Sequence, residues 1–421
     1  MPLADYGKLY LSPLEPSLRA PQSAAEAISQ WREELTRGHR LRVRGSGHSL
    51  SGASLPRRGE TLFLTHGLDQ FEVVEPDLLR VGCGAIMWDI RDFVAAHGAS
   101  LPVFNGGWAG PTLGGYVNAG GMGLRVPPTT REAAARGESN DGYVSISETH
   151  GGFWAHVEAL TLIDGCGELH NLTPEDSDFY WIFAAMGQFG LVLDVTLRLQ
   201  AIPGVTNQFA VGQSGKIPVT NPLNPSETND LPGADGIDWL YWFSAMVPID
   251  EEGRFWSLLG DWTDRHSATL EPSGGWVGPS LNGVPIGFRY LVKRRAPVPP
   301  LLYPRDEDFV LMGVMALCRG IGKPEVETAL VEAEQDFVSS IVEAGGRLYV
   351  QAENLSRSLD YADYYDAETW AKFCALKNKY DPQDLLNIGE LQRSKETEPV
   401  TVAQIRRLAA ATQRVLNTQP G

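Results

Sequence analysis

Arg44-Gly45-Ser46-Gly47-His48-Ser49 is the first stretch of the chain whose residue types could do chemistry. Two glycines one residue apart let successive main-chain N–H groups converge on a single point, a nest that holds a pyrophosphate without any lysine. The same residues also fit an ordinary glycine turn. Two commoner phosphate loops are missing. In Gly45-Ser46-Gly47-His48-Ser49-Leu50 a leucine stands where the third glycine of a G-x-G-x-x-G fingerprint belongs, and the run opens into Gly52-Ala53-Ser54 rather than a helix. No G-x-x-x-x-G-K-[ST] loop occurs, which argues against ATP or GTP turnover.

A second candidate lies further on. Between Gly82 and Gly123, 11 of 42 residues are glycine, a density suited to main chain passing close to something flat or anionic. A third is the segment Arg347-Leu348-Tyr349-Val350-Gln351-Ala352-Glu353. Its two-residue period puts Arg347, Tyr349, Gln351 and Glu353 on one face, as the wall of a site or as an exposed edge strand. Arg289, Tyr290 and Lys293 are weaker alternatives, read as surface residues, and His97 and His150 are read as structural. Cys83, Cys166, Cys318 and Cys374 lie far apart with no C-x-x-C spacing. They read as reduced, mostly buried thiols, and Cys166 with His170 lacks the second pair that a metal site needs.

These residues sit in a chain of 421 with 35 basic and 52 acidic side chains, a net charge of −17. Such an acidic surface repels phosphate backbones and anionic lipid, so nucleic acid and membrane are not expected partners. The N-terminal MPLADYGKLYLSPLEP lacks the basic start and apolar run of an export signal, and a cytoplasmic location is expected. At 43% hydrophobic and 21% charged residues the composition is that of a globular protein of two to three domains.

The elements that must position the candidates are mixed. A helix is predicted from Ser23 to Arg37, with Ser23 and Glu26 as capping box, Ala27, Ile28, Trp31 and Leu35 as apolar stripe and Gly38 as stop. Strand Leu41–Arg44, strand Leu78–Val81 and helix Ile86–His97 follow. A polar loop is read from Leu124 to Ser145. Val157–Ile163 and Glu168–Leu172 form a hairpin around Asp164-Gly165. Thr173 and Pro174 start a helix, and Leu191–Gln200 is a strand. The character changes at Pro203: residues 219–236 are loop-like, and Trp239, Trp242, Trp256, Trp262 and Trp276 suggest a separate layer. A helix over Pro324–Ala344, the strand from Arg347, a helix over Ala367–Lys379 and a closing amphipathic helix from Thr401 to Asn417 complete the chain.

Arg44-Gly45-Ser46-Gly47-His48-Ser49-Leu50-Ser51-Gly52 resembles the pyrophosphate loop of the vanillyl-alcohol-oxidase-type (PCMH-type) FAD flavoproteins, and within them the cytokinin dehydrogenase, sugar-oxidase and berberine-bridge-enzyme branches. Further motifs resemble the same family in the same order. They are Pro111-Thr112-Leu113-Gly114-Gly115 with Asn118-Ala119-Gly120-Gly121, His150-Gly151 with Val157-Glu158-Ala159-Leu160, Asp164-Gly165-Cys166-Gly167-Glu168, and Gly187-Gln188-Phe189-Gly190-Leu191-Val192. Trp370, Phe373, Lys377, Tyr380-Asp381-Pro382 and Leu385-Leu386-Asn387-Ile388-Gly389 resemble the piece that returns to that domain. The resemblance covers roughly 20–200 and 367–392, while 205–345 shows no comparable match.

The fold it implies is α+β: a PCMH-type FAD-binding domain of two subdomains (1–204, with 367–421 returning to it) and a substrate or cap domain (205–366) whose antiparallel sheet lies over the flavin. It implies FAD held by Arg44, Gly45, Ser46, Gly47, His48, Ser49, Thr112, Gly114, Gly115, Asn118, Gly121, Met122, Gly190, Val192, Asn387 and Glu390. In relatives a histidine at the place of His48 is bonded to the flavin's 8α-methyl carbon. The chain departs from the family in three places. Gly110 stands where a second tethering cysteine is found, Gly106-Gly107-Trp108 where a catalytic aspartate is found, and Asn387 with Glu390 are altered in type. The activity implied is hydride removal from a C–H beside an alcohol or amine of a small organic substrate, with Tyr349 and Glu353 as candidate catalytic residues. Oxygen is the expected acceptor. A dehydrogenase passing electrons to a carrier and a flavin-binding protein without turnover are the alternatives.

Overall fold

The computed structural model describes residues 3–5, 10–12, 16–104, 110–125, 146–149, 151–219, 239–258, 261, 286–318, 336, 338–349, 364–388, 391 and 400–401. Strand β1 (Ser17–Arg19) leads into helix α1 (Ala24–Thr36). Ser23 caps the helix by accepting from Glu26 N at 3.3 Å. The Glu26 carboxylate bonds Gln22 N (2.8 Å), one residue before the position a reciprocal capping box uses. The buried stripe is Ala27, Trp31 and Glu34, with Ile28 and Leu35 only partly covered. Glu34 is tolerated there because Arg19, His39 and Thr61 bond it at 2.5, 2.8 and 3.0 Å. Burial pushes its carboxyl upward, but those bonds prevail and hold it below the usual carboxylate range.

Strands β2 (Arg40–Arg44) and β3 (Glu60–Leu64) join β1 in a parallel sheet of order β1-β3-β2. Trp31 packs edge-on against Phe63 over it. In the alternating Arg40-Leu41-Arg42-Val43-Arg44, two of the three arginines are buried. Arg42 donates to both oxygens of Glu60 (3.0 and 2.8 Å), to Ala53 O (3.0 Å) and to Ile388 O (2.7 Å). It fixes the strand pair, the back of the glycine loop and the C-terminal segment together.

A six-stranded antiparallel sheet follows. Its strands are β4 (Gln70–Glu75), β5 (Leu78–Gly82), β7 (Val157–Ile163), β8 (Leu169–Leu172), β9 (Leu191–Arg198) and β10 (Ser214–Lys216), in the order β8-β7-β9-β5-β4-β10. Helices α2 (Met87–Ala96) and α3 (Leu113–Asn118) accompany it. The β7–β8 hairpin turns at Asp164, whose carboxylate accepts from Cys166 N and Glu168 N and meets His170. His170 therefore serves that turn rather than a metal with Cys166, and no group of three potential metal ligands occurs among the described residues. Of the cysteines with described side chains, Cys83 is buried, Cys374 is half-buried and Cys166 is exposed; all three are free. The helix expected at Pro174 is absent. Asp176 accepts from Thr173 N and Oγ1, closing a turn, and the helix present is the short Phe179–Ile182.

A five-stranded sheet forms the remaining layer, in the order β6 (Ile146–Thr149), β12 (Ile286–Val292), β13 (Phe309–Cys318), β11 (Trp239–Pro248), β14 (Arg347–Leu348). Its pairings are antiparallel except β6 with β12. The polar strand expected over Arg347–Gln351 is shorter: β14 ends at Leu348, and Tyr349 N then donates to Ser244 O (2.9 Å). Of the predicted helix over Pro324–Ala344, residues 338–343 are helical; its start, Trp262, Trp276, the loops at 126–145 and 220–236, and the tail from 402 lie outside the described residues. Helix α4 (Ala367–Tyr380), capped by Asp366, brings the chain back. Leu41 N donates to Leu385 O (2.8 Å) and Asn387 N to Leu41 O (2.9 Å), so the returning segment lies parallel beside β2. Among the described residues no helix is long and apolar enough to cross a membrane.

The Arg42–Glu60 pair gives a direct test of this joint. Removing one partner leaves the other charge buried and unpaired, so Glu60→Ala should cost about 3–5 kcal/mol in urea unfolding. The double variant Arg42→Met with Glu60→Leu should recover most of that loss.

Candidate cofactor and substrate site

Strand β2 ends at Arg44, and residues 45–49 leave it as bends without helix or strand. Gly47 has φ +73, a conformation glycine adopts without penalty. A side chain there would also overlap the Arg44 guanidinium, which lies against the loop. Arg44 is buried, donates to Ser54 Oγ (3.0 Å), and has Asp5 and His66 as charge neighbours. Burial, and then Arg44, lower the pKa of His66, which stands two residues beyond β3. Ser49 Oγ accepts from Ser51 N and Ala53 N (3.3 Å each), closing the back of the loop.

The second glycine run presses directly on the first. A Cβ at Gly45 would overlap Thr112 Oγ1, one at Gly110 would stand 3.4 Å from His48 Cδ2, and Ser46 Oγ donates to Gly110 O. Thr112 caps α3 by accepting from Gly115 N (3.3 Å). Asn118 at the end of α3 donates to Gly114 O (2.9 Å) and accepts from Gly187 N (2.9 Å). The bend that follows wraps Tyr116: Gly121 N bonds Tyr116 O (2.9 Å), and the Tyr116 hydroxyl donates to Met122 O (2.6 Å).

The five-stranded sheet meets this bend with one face. Tyr349 lies opposite Ser244 by the register that pairs Leu348 with Ala245. Its buried hydroxyl bonds the main chain of Met122, so the Met122 unit is held by one tyrosine from helix α3 and one from the segment that follows β14. Burial raises the Tyr349 pKa against the opposing Met122 bond. Tyr116 is raised by burial, and further by Tyr349 and Tyr290 nearby. The Tyr116 and Tyr349 hydroxyls therefore stay neutral at ordinary pH, which makes Tyr349 a hydrogen-bond donor rather than a phenolate base.

The structure thus brings together Arg44, Gly45, Ser46, Gly47, His48, Ser49, Thr112, Gly114, Gly115, Asn118, Gly121, Met122 and Tyr349. Gly190 and Val192, also expected at the cofactor, lie at the start of β9. Gly190 presses on Ile163 O and Val192 is buried in β9. Asn387 is engaged as a joint: its side chain accepts from Val43 N (2.9 Å) and donates to Met186 O (3.0 Å), and its carbonyl accepts from Gln188 Nε2. Arg347 lies over the Tyr364 ring at 5.5 Å and bonds Gly346 O. Glu353, Gln351, Glu390, His150 and Gly106-Gly107-Trp108 lie outside the described residues. Tyr290, read from sequence as a surface residue, is corrected: it packs against the core beside Tyr116, because β12 turns that face inward. Tyr116, Ser244 and His66 were not singled out. A lone serine inside the otherwise apolar and aromatic run 239–248 was the one signal that could have marked Ser244.

The residues present fit an FAD. Two bends without side chains between them meet at an imidazole, and buried polar atoms with no hydrogen-bond partner among the described residues, Ser244 Oγ and Trp154 Nε1, belong to elements around the second bend. Gly45→Ala should therefore purify with strongly reduced 450 nm absorbance. Gly45→Ala combined with Thr112→Ala, which vacates the overlapping atoms, should restore part of it.

Comparison with known proteins agrees with this geometry. Residues 17–132 match the model of the FAD binding domain family. An uncharacterised oxidoreductase, ORF5 of the fasciation locus of Rhodococcoides fascians, is 26% identical over 219 residues, a match covering 50% of this chain and 43% of that protein. The chain thus spans less than half the length of the relative it matches. The segment that matches the FAD binding domain model contains both glycine bends and His48.

Proposed function

We propose that the chain is an FAD-dependent oxidoreductase, working as an oxidase, that removes a hydride from a C–H beside an alcohol or amine of a small organic substrate, with its flavin tethered through His48. The observation that carries this reading is the meeting of the two glycine bends at His48, with a sheet tyrosine reaching Met122 from the other side. FAD supplies a two-electron acceptor that substrate hydride can reduce and oxygen can reoxidise. The nest at 45–49, backed by Arg44, holds a pyrophosphate. Main chain along 110–122 would offer N–H groups to the polar rim of the bound flavin. Tyr349, neutral through burial, donates a hydrogen bond to the substrate heteroatom, and Glu353 takes the proton that leaves it.

Three measurements test the reading. Acid precipitation of the purified protein should give a yellow pellet, and His48→Ala should move the colour to the supernatant; a wild-type protein with a yellow supernatant would contradict the tether alone. Peroxide should form with an alcohol or amine in air at a rate comparable to dye reduction without oxygen, and a rate seen only with the dye would make the protein a dehydrogenase. Tyr349→Phe should keep its flavin and lower the rate of flavin reduction about 10²-fold.

A further inference from the structure

We infer that Ser244 positions the substrate of the proposed reaction by hydrogen-bonding a neutral polar atom of it. In register, Ser244 stands between Tyr349 of the segment after β14 and Gly313 of β13. Residues directly opposite across a sheet point to the same face. The face that carries the Ser244 hydroxyl is therefore the one on which Tyr349 reaches Met122. Tyr290 shares it, since Phe288 pairs with Gly313 and the period is two residues. Gly313 places no side chain beside Ser244, which leaves the hydroxyl a side without a neighbour on that strand.

Ser244 is completely buried, and its Oγ has no hydrogen-bond partner among the described residues. Buried hydroxyls are ordinarily bonded, and an unbonded one is expensive to keep. A second such atom, Trp154 Nε1, lies in the turn Phe153–His156, whose Phe153 N bonds Gly121 O (3.0 Å). Two unsatisfied donors thus flank the bend that the proposed function assigns to the flavin ring. Among the described residues the polar groups on the sheet face are the hydroxyls of Tyr290, Ser244 and Tyr349 and, at its edge, Arg347, which lies over the Tyr364 ring, bonds Gly346 O and keeps a buried Nε without a partner. An alcohol or carbonyl oxygen placed beside Ser244 would find hydroxyl donors.

This inference rests on the proposed function, and its test separates the two. Phenol and toluene share a ring, differ in the hydroxyl and carry no C–H beside an alcohol or amine, so calorimetric titration of each into the purified protein reads affinity without turnover. Phenol should bind about tenfold more tightly than toluene. Ser244→Ala should weaken phenol about 5–10-fold, leave flavin content unchanged, and keep or raise the Tm, because it removes an unsatisfied hydroxyl. Equal binding of toluene, an unchanged phenol affinity in a yellow Ser244→Ala protein, or a marked fall in its Tm would each overturn the role of Ser244. A colourless wild-type protein would instead overturn the reading on which it rests.

Discussion

Gly45 and Thr112 touch across a gap that has room for no additional carbon. That close approach is the constraint on which the site depends. It brings the loop after β2, which belongs to the parallel sheet, against the start of α3, which belongs to the six-stranded one. Neither loop contains the other's partner in sequence, and the absence of a side chain at Gly45 is what lets them join. His48 and Gly110 follow from the same contact, since the chain on each side has little freedom once 45 and 112 are fixed.

The C-terminal return makes that arrangement rigid. Arg42 joins the glycine loop to residue 388, Asn387 joins β2 to the Met186–Gln188 turn, and Lys377 bonds Gln188 O, Leu386 O and Asp381. These are buried polar joints with several partners each, in which the loss of one group leaves others unsatisfied. The five-stranded sheet is inserted between the two halves so joined, and its Tyr349 lands on Met122. Both the flavin side and the substrate side of the proposed site are therefore positioned by one short main-chain unit.

The local features were legible in the sequence. Ser23 capping α1, Gly38 and Gly98 ending helices, and the hairpin at Asp164 depend on residues a few positions apart. The glycine motifs were legible as well, because close main-chain contact leaves a compositional trace. What was hidden depends on partners distant in sequence. Arg42 reads as an exposed residue of a basic strand until Glu60 and Ile388 are placed around it. Glu34 reads as the polar face of α1 until Arg19, His39 and Thr61 converge on it. Asp176 diverted the expected helix at Pro174 by a side-chain bond that periodicity does not register. Tyr290 and Ser244 acquire meaning from the register of β11, β12 and β13, which no single strand encodes.

The central claim is that one dinucleotide is gripped by both bends at once. Amide hydrogen exchange compares the protein made in a riboflavin-requiring host with and without the vitamin, and reads each bend separately. The account predicts slower exchange in the flavin-loaded protein at residues 45–54 and at 110–123 together, with the outer strands of the six-stranded sheet unchanged. Slowing confined to one bend, or to neither, would contradict it.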